Sequence, residues 1–104
     1  MSENLRIDLR PRDLDTLRAV FKKFPSVKSV RVFGSRATGH ARRTSDIDLA
    51  IEAPGMSDRE WATLGEAIES APLIYFIDAV RMDALSDGPL LAAIRRDGVP
   101  LMAA

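Results

Sequence analysis

Two short stretches of this chain carry side chains able to act together. Val30-Arg31-Val32-Phe33 runs as an apolar segment into Gly34-Ser35. After ten intervening residues, Asp46-Ile47-Asp48 opens a second strand-like segment. Glycine permits unusual backbone angles and close approach, and serine adds a hydroxyl donor. Backbone N–H groups where a strand meets a helix start favour anions. Two aspartates two residues apart on a strand emerge on the same face, about 7 Å apart along it. Hard oxygen donors so placed suit a divalent cation held together with substrate phosphates. Phosphate at one end of a short unit and metal at the other point to chemistry on a nucleotide.

Each half is weak alone. Gly-Ser is an ordinary turn pair. Asp13-Leu14-Asp15 repeats the Asp-x-Asp spacing at the start of a helical pattern, where it reads as negative charge near the positive helix end. Asp78 breaks the tie. It interrupts Leu73-Ile74-Tyr75-Phe76-Ile77-Asp78-Ala79-Val80, a run otherwise fit for a core, and an ionised carboxylate is costly to bury unpaired. Asp78 is either a strand-end residue that reaches solvent or pairs with an arginine such as Arg81, or a third metal ligand beside Asp46 and Asp48. Three clustered carboxylates repel one another without cations. The joint occurrence of all the pieces favours the metal reading.

These residues need elements to position them. Leu14, Leu17, Val20, Phe21 and Phe24 lie on one stripe at helical spacing, with Pro11 in the first turn and Pro25 as the stop. Val27 to Phe33 alternates as a strand ending at Gly34, and Ser35 to Gly39 makes a short helical turn. His40 to Ser45 is a polar loop. Asp46 to Glu52 is a second strand, with Ile47, Leu49 and Ile51 on one face and Asp46, Asp48 and Ala50 on the other. Ser57 and Glu60 form a capping box for a helix with Trp61, Leu64, Ala67 and Ile68 on its apolar side. Leu73 to Val80 reads as a buried strand. Leu85 to Asp97 reads as a third helix, interrupted near its start by Gly88-Pro89, with Gly98 as its cap. Val99 to Met102 is a last strand or a tail. The order is α-β-turn-β-α-β-α: an α/β (α+β) chain whose small mixed β-sheet is covered by helices on one side, with strand order open.

Composition fits one domain over residues 1–104, with 46% apolar residues and 15 basic against 15 acidic side chains. Zero net charge argues against stable nucleic-acid binding by phosphate neutralisation. The absence of cysteine excludes disulfides and thiolate metal sites. No apolar run approaches membrane-spanning length, and Met1 to Arg6 lacks the apolar core of a signal peptide. The expectation is a cytoplasmic protein without a membrane partner.

Gly34-Ser35, ten residues, Asp46-x-Asp48 and a later Asp78 in an apolar strand resemble the nucleotidyltransferase superfamily of the DNA polymerase β type. The fuller string Gly34-Ser35-Arg36-Ala37-x-Gly39 with Ser45-Asp46-Ile47-Asp48-Leu49 is similar to one branch. That branch is the minimal nucleotidyltransferases, the MNT antitoxins of HEPN/MNT toxin–antitoxin pairs. The resemblance runs from the leading helix to Gly98. It implies the nucleotidyltransferase fold and a set of roles. Gly34 and Ser35 hold the triphosphate of ATP. Arg36 reaches the phosphates, with an outward Arg paired to an acid as the competing reading. Asp46 and Asp48 bind two Mg²⁺ ions. Asp78 completes the site for one metal and helps activate the acceptor hydroxyl. Attack falls on the α-phosphorus and pyrophosphate leaves, the logic of two-metal catalysis.

Larger relatives carry an added domain for a drug or nucleic-acid acceptor, and a single domain of this length is expected to carry none. The resemblance therefore implies an acceptor on another molecule, a tyrosine of a HEPN toxin that receives AMP. Two alternatives stand beside it. One is an antitoxin that neutralises by binding alone; the presence of all three carboxylates favours activity. The other is a transferase acting on RNA or a small molecule. Of the remaining residues, His40 reads as solvated, Arg42 and Arg43 as a solvated loop, and Trp61 as core rather than a base-stacking platform. Met102 and its neighbours lack the aromatic found near this point in many relatives.

Overall fold

The computed structural model describes residues 7–42 and 44–103. Helix α1 (Pro11–Lys22) begins with proline in its first turn and buries Leu14, Leu17, Val20 and Phe21. It stops short of Phe24, because the residue before Pro25 is disfavoured in helical geometry. Phe24 instead packs against the core from just outside the helix. Strand β1 (Ser29–Phe33) alternates buried and half-buried residues and leads through Gly34 into the short helix α2 (Ser35–Thr38). Strand β2 (Ile47–Glu52) follows. Helix α3 (Asp58–Ser70) starts at the expected capping box: the Glu60 N–H donates to Ser57 Oγ at 3.1 Å, and the Ser57 N–H donates to Glu60 Oε1 at 3.2 Å.

Strand β3 (Ile77–Arg81) passes through a 3₁₀ turn (Met82–Ala84) to helix α4 (Pro89–Asp97). The sequence pattern starts this helix at Leu85; the structure starts it at Pro89. Gly88, lying before a proline, is kept extended while the ring pre-sets the first helical residue. The last described residues form strand β4 (Val99–Ala103). This settles the choice between strand and tail and makes the sheet four-stranded rather than three-stranded.

The sheet order is β3-β2-β1-β4. β1 pairs antiparallel with β2 and β4, while β2 and β3 run parallel, so the sheet is mixed. Val30 and Val32 pair with Ile51 and Leu49. Together with Ile47 and Leu101 they form the sheet side of the main core, closed by Leu14, Leu17 and Phe21 of α1 and Leu64 and Ile68 of α3. Leu91 and Ile94 of α4 are buried apart from this cluster. Among the described residues, no helix is long and apolar enough to cross a membrane.

The Leu73 to Val80 run is not a strand buried on both faces. Regular strand structure begins only at Ile77, and β3 lies at the edge of the sheet. Exposure alternates along the segment: Ile74 is 83% exposed and Phe76 69%. A continuous apolar run signals two-sided burial only when helices cover both faces. Here one face of the run turns outward, and Asp78 lies on it.

Candidate active site

The pleat of the sheet brings the two halves of the motif together. Phe33 and Asp48 are directly opposed across β1 and β2, and Asp48 and Asp78 across β2 and β3. Asp48 and Asp78 therefore share a face, opposite the one that carries Ile47, Leu49 and Ile51 into the core. Asp46 lies two residues before Asp48, just ahead of β2. The chain after Phe33 turns through Gly34 at φ 73° and ψ −153°, a region essentially closed to residues with a side chain. A β-carbon at this position would overlap Oδ2 of Asp48. Glycine is thus required twice, by its backbone angles and by the carboxylate against it. The Gly34 carbonyl accepts from the N–H groups of Ala37 and Thr38, forming α2, and Gly39 ends that helix in the left-handed conformation.

Burial raises the Asp48 carboxyl above its ordinary value, and the charges of Asp78 and Asp46 push it the same way. This is the electrostatic signature of carboxylates gathered without a counter-charge. Among the described residues, no three acidic, histidine or cysteine side chains are closed around a common point. The donor set nonetheless fits a hard cation. All three side chains offer oxygen, their repulsion is relieved by positive charge, and Mg²⁺ ordinarily completes its shell with water and substrate phosphates rather than an all-protein cage.

Asp78 is exposed on the edge strand, not buried within an apolar run. The burial cost that singled it out in the sequence is absent. Its register opposite Asp48 is what places it at the site. Nor does Arg81 pair with it. Arg81 Nε donates to Asp83 Oδ2 at 3.1 Å, while Nη2 donates to the carbonyls of Ala53 and Met56. Its guanidinium lies 5.7 Å from the Trp61 ring centroid. Trp61 is half-buried against the core, as its helical position suggests.

Arg36 is 4% exposed. Its guanidinium donates to main-chain carbonyls: Nη1 to Asp8 O at 2.8 Å, Nη2 to Ser45 O at 2.9 Å and to Arg42 O at 3.2 Å. The ring of Tyr75 stacks on it at 4.5 Å. The sequence signal for Tyr75 is a polar tip inside the apolar run Leu73 to Ile77. His40 is exposed, with Nδ1 at 3.0 Å from Thr38 Oγ1. Arg42 is exposed in the loop, and Arg43 lies outside the described residues, as do Met1 to Arg6.

Asp13-Leu14-Asp15 is arranged differently from Asp46-x-Asp48 in three dimensions. Asp13 is buried in the first turn of α1, where Arg10 Nε donates to it at 3.2 Å. Asp15 points to solvent, 3.7 Å from Arg18. A helix turns residues two apart away from each other, whereas a strand keeps them on one face.

No curated protein matches the chain. Solved structures share its fold. A chain in the crystal structure of a toxin–antitoxin with AMP-PNP superposes with a TM-score of 0.71 at 22% identity, covering 88% of this chain and 74% of that one. A chain of the toxin–antitoxin MntA-HepT gives 0.60 at 19% identity, covering 91% and 74%. A chain from the complex of tri-AMPylated Shewanella oneidensis HEPN toxin with MNT antitoxin gives 0.59 at 19% identity, covering 92% and 74%. At these identities the likeness is one of fold. The sequence model for polymerase beta nucleotidyltransferases matches residues 15–104, which include Gly34-Ser35 and all three aspartates. By that match, this chain belongs to the polymerase beta nucleotidyltransferase family.

Proposed function

We propose that this chain transfers AMP from ATP to a hydroxyl of a protein partner, a tyrosine of a helical HEPN toxin, and so acts as its antitoxin in the cytoplasm. One observation carries the reading: Asp48 and Asp78 are in-register neighbours on parallel strands, with the Gly34 backbone against the Asp48 carboxylate. Support also comes from similar folds, one with AMP-PNP and one in a complex with an AMPylated HEPN toxin.

In this reading the main chain at Gly34 and Ser35 lies along the triphosphate. Asp46, Asp48 and Asp78 would hold two Mg²⁺ ions, which would supply positive charge at the reacting phosphoryl group. Asp78, on the open edge strand, faces the incoming acceptor and takes the hydrogen bond of its hydroxyl. The hydroxyl passes its proton to the Asp78 carboxylate as its oxygen bonds to the α-phosphorus, the bond from that phosphorus to the bridging oxygen breaks, and pyrophosphate leaves. The protein contributes position and fixed charge rather than a covalent intermediate.

Intact-mass spectrometry of the partner, incubated with this protein, ATP and Mg²⁺, tests the proposal. The expected result is a gain of one or more AMP units that is absent with Asp46→Ala/Asp48→Ala. A stable complex with no mass gain points instead to neutralisation by binding alone. Labelling of RNA or a small molecule in place of the partner would replace the proposed acceptor.

A further inference from the structure

We propose that Arg36 is a positioning residue whose buried guanidinium latches the loop before β2 and thereby sets where Asp46 emerges. The functional half of this inference rests on the proposed transfer reaction; the structural half does not.

Asp46 sits between two fixed points. On its far side the Ile47 N–H donates to Phe76 O at 2.9 Å, the first rung toward β3. On its near side the Ser45 carbonyl, part of the same peptide plane as the Asp46 nitrogen, accepts from Arg36 Nη2 at 2.9 Å and Nε at 3.3 Å. Two donors on one oxygen orient that plane. The same side chain holds Arg42 O, and the loop closes on itself where the Ser45 N–H donates to Arg42 O and the Arg42 N–H donates to Ser45 Oγ. Nη1 reaches back to Asp8 O, while the Asp8 N–H donates to the Arg36 carbonyl, so the segment before α1 joins the cluster. The ring of Tyr75, one residue before Phe76, lies over the guanidinium.

A buried cation is costly unless its donors are met. Carbonyl dipoles and an aromatic face meet them here. The planar fork spreads its donors over three nitrogens and so spans the carbonyls of Asp8, Arg42 and Ser45; a lysine ammonium gathers all of its donors on one atom. The consequence is directional. Loss of the fork frees the Ser45–Asp46 peptide and leaves the Gly34 turn against Asp48 in place.

Arg36→Lys in the full chain tests this. Hydrogen exchange followed by mass spectrometry is expected to show residues 40–46 exchanging about tenfold faster or more, with α3 unchanged. With the partner and Mg²⁺, kcat for transfer is expected to fall about 10²-fold, the cost of misplacing a reacting group. KM for ATP is expected to stay within about threefold of wild type.

Wild-type exchange in residues 40–46, or an unchanged kcat, overturns the proposal. So does a KM rising in step with the fall in kcat, which marks Arg36 as a phosphate contact. If Arg36→Lys loses its cooperative thermal transition, Tyr75→Leu decides by the same readouts: smaller shifts in the same direction support the latch, and wild-type values overturn it. If the wild-type chain transfers nothing, the proposed reaction fails while loop exchange still judges the latch.

Discussion

The Gly34 main chain lies directly against the carboxylate of Asp48, closely enough that a β-carbon on one would overlap Oδ2 of the other. The turn that follows β1 and the carboxylate on β2 are thus one object, although they lie fourteen positions apart in the chain. Gly34→Ala is expected to cost about 1–3 kcal/mol, because alanine is strained at these backbone angles. The displaced Asp48 is expected to weaken binding of Mg²⁺ with an ATP analogue. Thermal denaturation and titration calorimetry measure the two effects. Wild-type stability in the alanine variant would show that the turn can relax away from Asp48.

Asp48→Asn separates stability from chemistry. It removes a charge that burial and its neighbours Asp78 and Asp46 make unfavourable, so the melting temperature is expected to hold or rise. Transfer to the partner is expected to fall about 10²-fold or more, the scale of losing a stabilising group at the reacting centre. A variant that melts earlier and still transfers would assign Asp48 a structural role.

Asp83 makes stability depend on pH. Burial pushes its carboxyl up, but the N–H groups of Ala53 and of Asp83 itself and the Arg81 guanidinium outweigh burial and hold it below its ordinary value. The Ala53 N–H donates to Oδ1 at 2.8 Å. A carboxyl depressed in the folded state binds fewer protons there than in the unfolded chain. Its contribution is complete above the unfolded value of about 3.9 and is lost as pH falls from there through the folded value. Asp83→Asn is expected to flatten this acid limb in urea melts from about pH 6 down to about pH 2.5. Asp48, shifted the other way, contributes the opposite slope and is common to both proteins. Parallel acid limbs in the two would refute the assignment.

Ser57→Ala tests the start of α3. The capping box joins the Ser57 hydroxyl and the Glu60 carboxylate to each other's main-chain N–H groups. Loss of the hydroxyl is expected to cost about 1 kcal/mol. The denaturation midpoint is expected to fall, with the denaturant slope unchanged. Nucleotide binding is expected to stay at wild-type strength, since α3 packs on the face opposite the carboxylates.

Local pattern in the amino-acid sequence determined the helices with strong stripes and stops. Pro11 and the spacing of Leu14, Leu17, Val20 and Phe21 place α1, and Ser57 with Glu60 places the start of α3. A strand's period of two puts Asp46 and Asp48 on one face, and the resemblance of the full motif string implies that Gly34-Ser35 works with them. Tertiary structure decided what depends on non-local pairing. The final residues become a strand only because β1 offers an open edge, with Arg18 donating to the Leu101 carbonyl from α1. The run that Asp78 interrupts reads as buried because its other residues are apolar; it is half open because β3 lies at the sheet edge. Asp78 meets Asp48 through parallel register, which no local spacing encodes. The motif places Arg36 beside Gly34-Ser35, while the carbonyls that its guanidinium meets come from Asp8, Arg42 and Ser45. The chain brings those groups around the guanidinium only when it folds.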